Sequence, residues 1–206
     1  YLGAINLFRV MKILITGSNG LLGQKIVRQL KKNNKLFLAT SIGENRNPDC
    51  PSAFYQSLDI SNQEEVNRVF IEYNPDAVIH TAAITNVDYC ETNPEICQKV
   101  NVTATAYLLN AAQKVDASFS LLSTDFVFDG EKGNYIESDI PNPLSVYAQS
   151  KVDAESILIN SANKNWSIVR TIIVFGEGNN LSRSNIVLWA KEALSSGEEL
   201  LSLIHI

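Results

Sequence analysis

Tyr147 and Lys151, four residues apart in Tyr147-Ala148-Gln149-Ser150-Lys151, are the pair in this sequence with the most direct chemistry. On a helix that spacing places both side chains on one face. A phenol titrates near pH 10, too high for efficient proton exchange at neutral pH. A neighbouring ammonium favours the phenolate and lowers that pKa, as would the charge of an oxidised nicotinamide. The pair therefore suits carbonyl reduction, in which Tyr147 gives a proton to the oxygen while hydride arrives on carbon. Lys151 could also hold the ribose hydroxyls of the hydride donor. Ser123 and Thr124, at the end of a run of apolar and small residues, add hydroxyls that would orient and polarise the carbonyl. An exposed helical pair has the same spacing, so its weight comes from its surroundings.

Those surroundings begin at Met11. Lys12-Ile13-Leu14-Ile15-Thr16 reads as a buried parallel strand, apolar because helices would cover both faces. Gly17, Gly20 and Gly23 follow at three-residue spacing, and an amphipathic helix runs from Leu21 to Leu30. Strand, glycine turn and helix start is the layout that brings a pyrophosphate onto backbone N–H groups. Gly17 would allow the tight turn, Gly20 the approach of phosphate, and Gly23 the packing of helix on strand. The spacing is GxxGxxG rather than the commoner GxGxxG.

Strand and helix patterns alternate onward. Strands are expected over residues 36–40, 54–58, 76–80, 119–123 and 167–174. Helices are expected from Ser61, as an N-cap with Glu64 in a capping box, to about Tyr73, then over Pro94–Val115 and Leu144–Ser161. The pattern defines an α/β fold, a Rossmann-type doubly wound parallel sheet. In such sheets the ligand lies at the carboxyl ends of the strands. There the glycine turn, Asp59-Ile60, Thr81-Ala82-Ala83 and Ser123-Thr124-Asp125 converge. An acid that would hold an NAD ribose is absent from the second strand's end, Thr40-Ser41, and Arg46 nearby could meet a 2′-phosphate; both NADP and NAD stay open, with NADPH favoured.

The chain has 206 residues, 45% of them hydrophobic, enough for one domain or one domain and part of another. No apolar run approaches the ~20 residues of a membrane span. A net charge of −5 without a basic patch argues against a nucleic-acid partner. Cys50, Cys90 and Cys97 lack metal-binding or redox spacing and read as reduced, buried thiols, pointing to the cytoplasm. His80 reads as a neutral strand-end residue, and no metal constellation is visible. Residues 1–10 read as a non-native leader, 11–175 as the cofactor-binding domain, 176–199 as the start of a truncated substrate lobe, and 200–206, with His205, as an artefactual tail.

Taken together, TGSNGLLG, the alanines of HTAAITNVD, LSTDFVFDG and YAQSK resemble the extended short-chain dehydrogenase/reductase family in order and spacing. Within it the chain is most similar to the dTDP-4-dehydrorhamnose reductase branch, whose STDYVFDG segment residues 123–130 nearly copy. Asn86-Val87-Asp88 with Glu91, Val100-Asn101, Pro141-Asn142-Pro143-Leu144 and Arg170-Thr171 extend the match, which covers about residues 11–198. The resemblance implies Thr124, Tyr147 and Lys151 as the catalytic set. It implies cofactor contacts from Gly17, Asn19, Gly20, Leu21, Leu22, Gly23, Asp59, Ile60, Ala82, Ala83, Thr85 and Ser123, with Asp59 reaching the adenine amino group. The implied reaction is NAD(P)H-dependent reduction of the 4-keto group of a nucleotide-linked deoxysugar, in a homodimer. Ile173 stands where the family often has a tryptophan lining the sugar pocket, and Phe126 replaces a tyrosine. A non-catalytic, NADP-binding regulatory subunit and a sugar-nucleotide epimerase are the alternative readings.

Overall fold

In a computed structural model that describes residues 10–162, 164–181 and 185–197, the expected alternation becomes a single parallel sheet. β1 (Lys12–Thr16) is flanked by β2 (Leu36–Ser41) and β4 (Ala77–His80), with β3 (Tyr55–Ser57), β5 (Ser118–Thr124) and β6 (Trp166–Thr171) beyond. The order is β3-β2-β1-β4-β5-β6, so the chain reverses direction along the sheet between β1 and β4. β1 is apolar because it is central: Leu14 and Ile15 are fully buried. Alternation divides its side chains between two layers. Ile13 and Ile15 pack with Val27 of helix α1 (Leu21–Lys32), Phe37 and Ala39. Leu14 faces Val66 and Phe70 of α2 (Gln63–Tyr73), and Leu108 and Leu158 from two later helices.

Several element boundaries differ from the sequence reading, each for a local reason. α2 is capped by Asn62, not Ser61, because the Asn62 side chain reaches the N–H groups of both Glu64 and Glu65. Glu65, rather than Glu64, returns the contact by accepting from Asn62 Nδ2 at 3.0 Å. The expected helix over residues 94–115 is preceded by α3 (Val87–Thr92), capped by Asn86. It is itself divided into α4 (Pro94–Cys97), a π-helical turn (Gln98–Thr103) and α5 (Ala104–Lys114). α6 spans Val146–Ile159 behind the N-cap Ser145, two residues later than expected. β6 stops at Thr171, where its pairing with Thr124 ends, leaving Ile172 and Ile173 exposed. α7 (Ile186–Ser196) closes on Gly197. Residues 1–9 of the expected leader, and the whole of the expected tail with His205, lie outside the described residues. Among the described residues no helix is long and apolar enough to cross a membrane, and Cys50, Cys90 and Cys97 are buried, free thiols.

His80 ties the centre of the sheet to α5. Its Nδ1 lies 2.7 Å from Thr16 Oγ1, and its Nε2 3.0 Å from Thr105 Oγ1. Thr105 donates its own proton to the Asn101 carbonyl, so Nε2 carries the imidazole hydrogen and Nδ1 accepts from Thr16. Burial, with a smaller contribution from the Lys151 charge, pushes the His80 pKa down to about 3. The folded chain thus refuses a proton that the unfolded chain takes up below its ordinary pKa of about 6.5. Stability supplied by neutral His80 is complete above that pH and falls as the pH drops toward 3. Chemical denaturation between pH 7 and 4 should show wild-type stability falling relative to His80→Gln by about 1.4 kcal/mol per pH unit below 6; a pH-independent difference would contradict a buried neutral imidazole.

Candidate active site

The site is assembled at the carboxyl ends of β1, β4, β5 and β6. Gly17 leaves β1 with φ +75°, the left-handed region that glycine adopts without strain. A Cβ at Gly17 would stand 2.6 Å from Ala82 N, and one at Gly23 would stand 2.2 Å from the Gly17 carbonyl oxygen. Gly17 therefore lets the turn press on the end of β4, and Gly23 lets α1 press on the turn. α1 starts at Leu21, so the N–H groups of its first turn have no acceptor within the helix, and Leu21 and Leu22 border the space above the strand ends. That space is a cleft of about 560 Å³ walled by Gly17, Asn19, Gly20, Ala83, Thr124, Tyr147 and Lys151, together with Ile173 and Asn185. Leu21, Leu22, Gly23, Thr85 and Ser123 also line it.

Helix α6 is anchored so that its first turns present two functional groups. Ser145 Oγ accepts from Ala148 N, and Glu91 of α3 accepts from Val146 N at 2.7 Å. Ser150 donates to the Tyr147 carbonyl and accepts from Asn101 Nδ2 at 3.0 Å. Asn101 also pairs with both backbone groups of Ile84. The π-helical turn thereby locks the β4 exit to α6, a placement such turns often have at functional sites.

Tyr147 and Lys151 are 9% and 3% exposed. Lys151 Nζ donates to the Leu122 carbonyl at 2.7 Å, and burial brings its pKa down to about 8, against the opposing pull of Glu155. Tyr147 departs from the sequence expectation. Its pKa is raised, not lowered, because burial outweighs the opposing effect of the nearby Thr124 hydroxyl, which itself donates to Asp125 Oδ1 at 3.1 Å. Cys90 and Cys97, packed with it, and Asp125 add to that rise. The phenol is thus a protonated donor at neutral pH. Thr124 caps the following turn through Phe126 N and faces Tyr147 as well, so its capping and site roles coincide. The Phe126 ring meets the Tyr147 ring edge-on at 6.4 Å.

The other expected residues divide. Ser123 lines the cleft, but its hydroxyl is engaged elsewhere than the sequence reading expects. Strand alternation turns that group away from Thr124 and toward α6, where it donates to Glu155 at 2.5 Å. Asn19 lines the cleft, but its amide is committed to the loop after β2, donating to the Glu44 carbonyl and accepting from Arg46 N at 2.9 Å. Ala82 packs beneath Gly17 and, with Asp59 and Ile60, is not among the residues walling the cleft. Ile60 belongs to the core, and Asp59 accepts from Ser61 N. Glu155 was missed by motif reading, although an acid four residues beyond Lys151 on the same helix face was a visible signal. Gln24, which clasps both backbone groups of Asn179, carried no signal. Among the described residues no cluster has the makings of a metal site.

A glycine turn at a helix start, joined in one cleft to a buried tyrosine, lysine and threonine, defines a Rossmann-type site. The RmlD substrate binding domain family matches residues 11–200, and the chain belongs to that family. It is similar to a probable low-salt glycan biosynthesis reductase of Haloferax volcanii, 35% identical over 190 residues, which are 91% of this chain and 62% of that protein. Methionine adenosyltransferase 2 subunit beta of Bos taurus is 28% identical over 86% of this chain and 51% of its own length. The crystal structure of a dTDP-4-dehydrorhamnose reductase from Clostridium acetobutylicum superposes with a TM-score of 0.77 at 36% identity, covering 95% of this chain and 63% of that one. The chain thus spans less than two thirds of the length of each.

The glycine geometry is open to a direct check. Gly23→Ala must displace the Gly17 carbonyl and should cost about 1–3 kcal/mol, a drop of several degrees in the unfolding midpoint. Gly20→Ala, whose Cβ would meet that carbonyl at 3.3 Å, should cost markedly less. Equal midpoints for the two variants would contradict the packing role of Gly23.

Proposed function

We propose that this chain supplies the cofactor-binding and proton-donating part of an NAD(P)H-dependent reductase acting on the 4-keto group of a nucleotide-linked deoxysugar of the dTDP-4-dehydrorhamnose type. The observation that carries the reading is the meeting of Thr124, Tyr147 and Lys151 in the cleft that the glycine turn opens. The residues suit a dinucleotide: unobstructed backbone at Gly17 and Gly20, the α1 N-terminus, and the small residues Ala83 and Thr85. When bound there, a reduced nicotinamide supplies hydride. Tyr147 donates its phenolic proton to the ketone oxygen, and the Thr124 hydroxyl beside it in the cleft orients that oxygen. The Lys151 ammonium stabilises the phenolate left behind and reaches the ribose side of the cleft. NADPH is favoured because Arg46, exposed beside the β2 end, has its backbone fixed to Asn19 of the glycine turn. Residues 11–175 form the cofactor-binding unit in this reading, and 176–199 begin the substrate lobe.

A regulatory role is the second reading, favoured by the likeness to methionine adenosyltransferase 2 subunit beta. The two separate on turnover. With dTDP-4-dehydrorhamnose and NADPH, Tyr147→Phe should reduce the rate by two to four orders of magnitude and leave NADPH affinity within a few fold. An unchanged rate would remove Tyr147 from the chemistry; NADPH binding without turnover by the wild type would favour regulation.

The pH dependence follows from Lys151, whose ammonium is present below about 8 and lost above it. The reduction rate should therefore be sustained at neutral pH and fall on the alkaline side with a midpoint near 8. A rate unchanged up to the ordinary lysine range, near 10.4, would show that the Lys151 charge takes no part.

A further inference from the structure

Glu155 is 2% exposed, carries no part of the proposed reaction, and yet holds two side chains beside the site, Ser123 and Arg170. It stands on α6, one turn beyond Lys151 and two beyond Tyr147. Its carboxylate accepts from Ser123 Oγ at 2.5 Å on β5, and from Arg170 Nη2 at 2.6 Å and Nε at 3.0 Å on β6. The Arg170 guanidinium in turn lies 5.1 Å over the Phe128 ring, which stacks on Tyr135. One buried carboxylate therefore joins α6 to the carboxyl ends of both strands that form this side of the cleft. The residue before Ser123 offers the carbonyl that holds Lys151, and the residue after it is Thr124.

Stability alone is a poor reason for this arrangement. A buried ion pair roughly repays its own desolvation, and apolar residues of similar size often do as well. Its placement explains more. Strand alternation sends Ser123 toward α6, so securing Ser123 fixes the direction of Thr124 and of the Leu122 carbonyl. We propose, on the reading that Tyr147 and Lys151 form the reductive site, that Glu155 is its positioning residue: it holds β5 and β6 against α6 so that Leu122 and Thr124 meet Lys151 and Tyr147, and it supplies the negative charge that keeps the Lys151 ammonium in place.

Of the charged and titratable groups around Lys151, Glu155 takes the largest share of this task, with a smaller contribution in the same direction from Cys97. Tyr147 on its own helix is a neutral phenol, His80 of β4 is neutral, and Cys97 of α4 is a buried thiol. Asp125, after β5, acts on Tyr147, and Arg170 of β6 is engaged by Glu155 itself. Burial drives Lys151 toward the free amine, and the carboxylate opposes it.

The test reads Lys151 directly and needs no turnover, so it stands whether or not the chain proves to be a reductase. With 13Cε-labelled lysine, and the Lys151 signal assigned through Lys151→Arg, NMR follows its titration from an expected wild-type midpoint of about 8. Glu155→Gln keeps the shape and an acceptor for Ser123 but removes the charge, and should lower the midpoint by about one pH unit. Merely loosening the fold would admit water and move the midpoint the other way, toward the ordinary lysine value. Ser123→Ala, which removes only the tie to β5 and leaves the Arg170 pair, should produce that upward movement with α6 still helical. An unchanged or raised midpoint in Glu155→Gln would overturn the charge role, and an unchanged midpoint in Ser123→Ala would overturn the positioning role. Should Glu155→Gln not fold, Glu155→Asp replaces it: a midpoint held near the wild-type value supports the charge role, and one raised toward the ordinary lysine value overturns it.

Discussion

A lysine ammonium that is 3% exposed must be given an acceptor and a compensating charge, and much of this structure is arranged around that requirement. The acceptor is the Leu122 carbonyl, available only because β5 ends where α6 begins its first turns. The charge comes from Glu155, one turn along the same helix. α6 cannot shift without breaking one or the other. Its N-terminus is held by Ser145 and by Glu91 from α3, and its flank by Asn101 from the π-helical turn. The tyrosine that shares its face is thereby delivered into the cleft with its proton retained by burial.

The opposite wall rests on a steric constraint rather than an electrostatic one. The contact of Gly23 with the Gly17 carbonyl, and of Gly17 with the start of the Ala82 backbone, brings α1, β1 and β4 closer than any side chain would allow. The same proximity leaves the backbone of the turn bare toward the cleft. Asn19 then carries the turn's position across to the loop after β2, so that Arg46 stands at a fixed place beside it. The glycine turn and the Thr124, Tyr147 and Lys151 side chains consequently border one space, as the proposed reduction of a carbonyl with a dinucleotide would require.

The sheet was legible because its central strands are apolar runs bounded by glycine or polar turns, as in β1 and the buried part of β5. The Tyr147–Lys151 pair and Thr124 were legible because helix periodicity and a strand end are local properties. What escaped was decided by tertiary contact. Ser61 and Asn62 are both good caps, and only the path of the chain out of Leu58 gives Asn62 the role. Ser123 and Thr124 are both hydroxyls, and pleating alone sends them to opposite faces. The upward movement of the Tyr147 pKa reflects enclosure by Cys90, Cys97 and the strand end, which no i,i+4 spacing conveys. The Asn101 lock depends on a π-helical turn inside what reads as continuous helix.

Membership of the RmlD substrate binding domain family and the likeness to longer reductases place this chain among proteins of which it spans less than two thirds. The central claim, that the cleft between the glycine turn and α6 reduces a ketone, is tested most directly by a single turnover. NADPH is bound to the chain, dTDP-4-dehydrorhamnose is added, and the near-ultraviolet absorbance of the reduced nicotinamide is followed in H2O and D2O. The account predicts loss of that absorbance in one phase, slower in D2O because the Tyr147 proton moves with the hydride. Bound NADPH that stays reduced in the presence of saturating substrate would contradict it.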